Sequence, residues 1–123
     1  MTTVTTQAEL DAAVAAGDTD GPIVVGGGVF RIAAGVGWIE IQPGARSLIA
    51  LDPGSDIAID CREDANPAIY CLPGSDGEIA CLSGSKPFIY LERGSGVGVC
   101  QHPGSQATIV HEPPPIKTEP EAT

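Results

Sequence analysis

Residues 51–90 read LDPGSDIAID, CREDANPAIY, CLPGSDGEIA and CLSGSKPFIY, four consecutive blocks of ten. In each block the ninth residue is isoleucine (Ile59, Ile69, Ile79, Ile89), and two residues on, at the first position of the next block, stand Cys61, Cys71, Cys81 and Leu91. Positions two apart in an extended chain lie on one face, so both sets belong to the buried side of a strand. The Pro-Gly-Ser-Asp runs Pro53 to Asp56 and Pro73 to Asp76 supply a preset φ, a residue tolerant of positive φ, and side chains that bond neighbouring amides. Each block is therefore one strand and one turn.

The pattern extends outward without gaps from Gly21 to Val110. Its ninth positions are Val29, Ile39 and Ile49 before the quoted stretch and Val99 and Ile109 after it, and Ile41 and Leu51 occupy first positions. Ten-residue strand-turn units build either an antiparallel meander or a parallel solenoid with two strands per coil. A solenoid stacks alternate blocks, so features recur at twenty residues. Pro67/Pro87, Tyr70/Tyr90 and Asp56/Asp76 do so and are absent from the blocks between. The expected fold is all-β: a short parallel β-solenoid of about 20 residues per coil in which Ile49 pairs with Ile69 and Ile59 with Ile79. The meander stays open as the alternative.

Three regions follow. Residues 1–20 form an arm, Thr2 to Thr5, and a helix from Gln7 to Ala16. Thr6-Gln7-Ala8-Glu9 is a capping box, Gly17 is placed to end the helix, and Leu10 and Val14 share a face with Ala13 and Ala8 nearby. Residues 21–110 form the solenoid. Residues 111–123 hold four prolines and one aliphatic residue, Ile116, the composition of a disordered acidic tail. The capped helix followed by Gly21-Pro22-Ile23-Val24-Val25-Gly26-Gly27-Gly28-Val29-Phe30 resembles the entry into right-handed parallel β-helices of the pectate-lyase and phage-tailspike style, where a helix covers the open end of the core. The short Gly- and Ser-rich coils are also similar to small repeat proteins of actinobacterial phages. The resemblance implies a solenoid and a viral origin.

Charge and composition narrow the function. The 123 residues carry 16 acids and 6 bases, a formal charge of −10. Four of those charges fall in residues 1–30, four in 31–110 and two in 111–123. Arg31, Arg46, Arg62, Lys86 and Arg93 are scattered among acids, so no basic patch for DNA or RNA is expected. No apolar run reaches the roughly 18 residues of a membrane helix, and Met1 to Thr6 carries no signal-like start. The expected setting is a virion or the host cytoplasm, without an export signal of its own, with the cysteines reduced.

Cys61, Cys71 and Cys81 can be imagined as soft-metal ligands but replace Ile41, Leu51 and Leu91 at inward positions, so they read as core, with Cys61 and Cys81 stacked one coil apart and Cys100 exposed. Asp56 and Asp76 read as turn residues before calcium ligands. Asp60 and Glu78 are the carboxylate pair a carbohydrate-cleaving enzyme would use on one outward face. No Ser-His-Asp motif surrounds His102 or His111. No cofactor, metal or catalytic residue is therefore expected. The outward positions are too apolar for a solvated monomer: Leu48, Ala58, Ala68 and Phe88 at the eighth, Tyr70 and Tyr90 at the tenth, Leu72 and Leu82 at the second. Tyr70, Tyr90, Phe88, Leu72 and Leu82 are the expected partner-binding residues. The expected function is a non-enzymatic structural or recognition protein, a virion accessory or capsid decoration protein that forms a homo-oligomer (a trimer is possible) or docks on a virion protein. An acidic inhibitor of a DNA-handling or defence protein and a small carbohydrate-binding or carbohydrate-cleaving β-helix are the alternatives.

Overall fold

The structure is a computed structural model that describes residues 3–15, 23–32 and 37–111. Eleven strands and one helix occur among them: β1 (Thr3–Val4), α1 (Gln7–Ala15), β2 (Ile23–Val25), β3 (Gly28–Ile32), β4 (Trp38–Ile41), β5 (Ser47–Leu51), β6 (Asp56–Cys61), β7 (Ala68–Cys71), β8 (Asp76–Cys81), β9 (Phe88–Leu91), β10 (Gly96–Gln101) and β11 (Thr108–His111). From β2 onward successive strands alternate between two sheets, here called A (β1-β2-β4-β6-β8-β10) and B (β3-β5-β7-β9-β11), and every strand pair is parallel. Ile49 pairs with Ile69 and Ile59 with Ile79. The parallel solenoid thus displaces the meander, for the physical reason the sequence offered: features that recur at twenty residues stack in register, Tyr70 on Tyr90 and Asp56 on Asp76.

The inner faces meet in one core. Ile39, Ile41, Ile59, Cys61, Ile79 and Cys81 from sheet A face Ile49, Leu51, Ile69, Cys71 and Ile89 from sheet B, all fully buried. The turns repeat one construction. From residue 41 on, the fourth residue of each block has positive φ: Gly44, Gly54, Asp64, Gly74, Gly84, Gly94 and Gly104. The serine after it folds back, with Oγ of Ser55, Ser75, Ser85, Ser95 and Ser105 donating to the carbonyl three residues before at 2.6–2.8 Å. Turns also bond along the solenoid axis: Gly54 N–H donates to the Gly74 carbonyl and Gly74 N–H to that of Gly94. The hydrogen bonds of the turns, like those of the strands, tie each coil to the next.

The first coil departs from the ten-residue frame. Ile23 pairs with Ile39, sixteen residues on, and Phe30 with Ile49, nineteen on. Only Gly26 and Gly27 join β2 to β3. As a result Phe30 and Ile32 point inward, and Val29, expected in the core at a ninth position, is 68% exposed. The arm requires a glycine at position 28: a Cβ on Gly28, whose φ is 144°, would lie 2.5 Å from the Thr5 carbonyl oxygen.

The N-terminal end is closed as the capping-box reading expects. Glu9 N–H donates to Thr6 Oγ1 (3.2 Å), and Glu9 Oε1 accepts from Thr6 N–H (3.2 Å), Thr5 N–H (2.8 Å) and Thr5 Oγ1 (3.0 Å). Those bonds, the Thr5 backbone bond foremost, lower the Glu9 pKa from its ordinary value. Leu10 and Ala13 enter the core and Val14 packs against it, while Ala8 stays exposed. The expected helix end at Ala16 and Gly17 lies outside the described residues, as does the expected tail 111–123 apart from His111, which instead ends β11 paired with Leu91.

Candidate functional site

With inward residues of each strand fixed, the outward ones form columns across each sheet. On sheet B one column runs Val29, Leu48, Ala68, Phe88, Thr108 and the other Arg31, Ala50, Tyr70, Tyr90, Val110. Apart from Arg31 and Thr108 these are apolar or aromatic. Val29, Leu48, Tyr70, Phe88 and Val110 are each more than a third exposed although large and apolar. The strip arises because the inward and outward sets of a strand are chosen independently: coil stacking fixes the first, and water would favour polar residues in the second.

Its centre is aromatic. The Tyr70 ring lies 6.1 Å from Tyr90, tilted by 36°, and 6.5 Å from Phe88, tilted by 56°. Parallel in-register pairing brings Tyr70 and Tyr90 together, and the diagonal step reaches Phe88. Three of the five expected partner-binding residues thus form one cluster. Leu72 follows it, half-buried in the turn after β7, where its N–H donates to the Leu51 carbonyl. Leu82 is in the turn after β8, a strand of sheet A, and does not join the cluster. Ala58, placed in the same expected strip, lies on sheet A between Trp38 and Glu78. The error has one source: block numbering ignores that odd and even blocks occupy different sheets. Sequence reasoning also missed Val29 and Val110, the two ends of the strip. The outward alternation of β11 signals Val110, whereas Val29 was masked by the short first coil.

The outer face of sheet A contrasts with it. Its columns run Trp38, Ala58, Glu78, Gly98, then Glu40, Asp60, Ala80, Cys100, then Asp56, Asp76, Gly96, so five carboxylates share the face with one exposed aromatic, Trp38. Asp60 accepts from Trp38 Nε1 at 2.9 Å, and Glu40 takes Arg62 at 3.3 Å. Asp60 and Glu78 sit one diagonal step apart, since Asp60 pairs with Ala80 and Glu78 with Ala58.

The cysteines lie where the sequence expects. Cys61 pairs in register with Cys81, Cys71 belongs to the opposite sheet, and Cys100 is exposed. Its hydrogen bond to Cys81, then burial, pushes the Cys61 thiol up, and burial, with the Glu92 charge, pushes Cys71 up to about 12. The Cys61 and Cys71 thiols remain protonated and behave as small apolar side chains, whereas the hydrogen bond with Cys61 lowers the Cys81 thiol against the opposing effect of its burial. Among the described residues no group of three or more His, Cys, Asp or Glu is placed to hold a metal ion, and no helix is long and apolar enough to cross a membrane.

Compared with family models, with curated proteins and with solved structures, the chain matches none. The likeness to tailspike-style proteins therefore extends to the parallel solenoid and not to an origin or a family.

Proposed function

We propose that this protein is a non-enzymatic structural or recognition protein whose rigid solenoid docks on a protein surface through the outer face of sheet B. The observation that carries the reading is the continuous apolar strip from Val29 to Val110 with the Tyr70, Tyr90 and Phe88 cluster at its centre. Aromatic residues without charged neighbours are the composition of an interface core, and contiguous exposed apolar strips on small soluble domains mark contact sites. The acidic outer face of sheet A supplies the solvated side. An accessory or decoration role on a larger assembly such as a virion suits a body with one flat docking face and one charged face. The test replaces Tyr70 and Phe88 together by Thr, which suits an outward strand position. The double variant is expected to keep its far-UV spectrum and lose co-purification with its native assembly; unchanged co-purification contradicts the reading.

A second reading, an acidic inhibitor that imitates DNA, is favoured by one observation: Glu40, Asp56, Asp60, Asp76 and Glu78 share the outer face of sheet A. It requires that neutralising Asp56, Asp60 and Asp76 abolish binding of a DNA-handling enzyme while the Tyr70 and Phe88 variant retains it.

A further inference from the structure

The two ends of the solenoid are finished differently. At the N-terminal end β1 adds a strand to sheet A, and the Gln7 side chain acts as a strand substitute on sheet B: Arg31 N–H donates to Gln7 Oε1 (2.6 Å) and Gln7 Nε2 donates to the Arg31 carbonyl (3.1 Å). Leu10 and Ala13 of α1 cover the core between them. Stacked-repeat proteins need such terminal caps because each repeat leaves one face for the next.

Among the described residues β10 and β11 at the C-terminal end have one neighbour each, β8 and β9. Gly96 and His102 N–H donate back to Ser75 and Cys81, and Thr108 N–H to Pro87. Alternation along a parallel strand therefore sends the backbone groups of Val97, Val99, Gln101, Ile109 and His111 toward the open side. The inward side chains of this last coil, Val97, Val99, Ala107 and Ile109, are core residues in kind, yet Val99 and Ile109 are only partly buried where Ile79 and Ile89 are fully so. Exposed edges are ordinarily guarded by charge, proline or bulges. Residues 94–111 contain no Asp, Glu, Lys or Arg in a chain of formal charge −10, and their one proline, Pro103, lies in a turn.

We propose that this end pairs with the same end of a second copy, β10 against β10 and β11 against β11, both antiparallel. A two-fold axis running from sheet A to sheet B, perpendicular to the solenoid, reverses strand direction and matches both edges at once, because the partner's edges have the same separation. A single foreign strand would satisfy one edge only. The segment 112–123 is a poor occupant, since Pro113, Pro114, Pro115 and Pro120 lack the N–H an edge requires and Glu112, Glu119 and Glu121 bring charge. Uncharged coil meets uncharged coil, and the two cores become continuous with a helical cap at each far end. The pairing also joins the two sheet B strips at Val110, doubling an apolar face that in one copy spans on the order of 300 Å², from five strands about 4.8 Å apart and two outward residues per strand, well short of the roughly 800 Å² per partner of a standard interface. The inference stands apart from the docking reading, since it uses strand edges rather than the outer face.

The test is sedimentation of the full chain at micromolar concentration beside Gly98→Lys/Cys100→Lys. Both side chains point outward on β10, away from sheet B, and a Cβ on Gly98 meets nothing within 4 Å. The native chain is expected to sediment as a dimer and the double variant as a folded monomer. Amide exchange at Val97, Val99 and Gln101 is expected to slow about tenfold or more as native protein concentration rises through the dimer range, a readout that needs no variant. A native monomer, a dimer unaffected by the lysines, or exchange at those amides independent of concentration overturns the proposal. A dimer lost in the Tyr70 and Phe88 variant but kept in the lysine variant assigns self-association to sheet B instead.

Discussion

Asp64 is the one residue other than glycine with positive φ among the described residues, at 63°. It stands where Gly44, Gly84 and Gly104 stand in the equivalent turns, and its N–H donates to the Gly84 carbonyl at 3.1 Å. The left-handed conformation costs an L-residue about 1–2 kcal/mol, partly offset by the greater freedom of glycine in the unfolded chain, about 0.5–1 kcal/mol. Asp64→Gly is therefore expected to raise stability in urea by about 0.5 kcal/mol. The converse change, Gly54→Ala, meets no atom within 4 Å, so its expected net loss of about 0.5–1 kcal/mol reflects backbone conformation rather than a steric clash. The thiols give a second expectation at this scale. Cys100 is exposed and Cys61, Cys71 and Cys81 are buried, so a thiol reagent at mildly alkaline pH should modify one cysteine rapidly and three only on unfolding; four rapid thiols would contradict the core. Both the turn glycines and the inward cysteines were legible in the sequence, because each is a substitution into a repeated slot whose other occupants declare its environment.

At the scale of elements the strands, the coil and the capping helix could be read from the chain, and the first coil could not. Equal spacing of nine β-branched residues suggested nine equal blocks. The two-residue corner Gly26-Gly27 shortens the path between β2 and β3, which moves Phe30 inward and turns Val29 out. A glycine run does not reveal whether it lengthens or shortens a corner; the contacts of β1 across it decide. The cap itself is pH-sensitive. Glu9 has a folded pKa lowered from the usual 4.5 by the Thr5 and Thr6 bonds, so its contribution is present above that value and is lost as pH falls through the folded pKa. Fraying of α1 and β1 is expected below about pH 4.5, before the coils open. Site-resolved titration should place the Glu9 midpoint below the ordinary value, and Glu9→Gln should lose the acid-linked step. A Glu9 midpoint at or above the usual value would deny the capping box its electrostatic part.

For the whole molecule, stacking fixes two sheets with independent outer faces, acidic on A and apolar on B. The sequence announced an apolar outer strip but could not divide it, since Ala58 and Leu82 alternate with the true members and only the assignment of alternate blocks to opposite sheets separates them. The proposed function rests on that division: we propose that the face bearing Tyr70, Tyr90 and Phe88 meets a protein partner and that the face bearing Asp60 and Glu78 meets water. It is tested most directly by a photo-crosslinking amino acid placed singly at Tyr70, Phe88, Asp60 and Glu78 and irradiated in the protein's native cells. The account predicts covalent adducts of one common mass from positions 70 and 88 and none from 60 and 78. Adducts confined to positions 60 and 78, or none from 70 and 88, would contradict it.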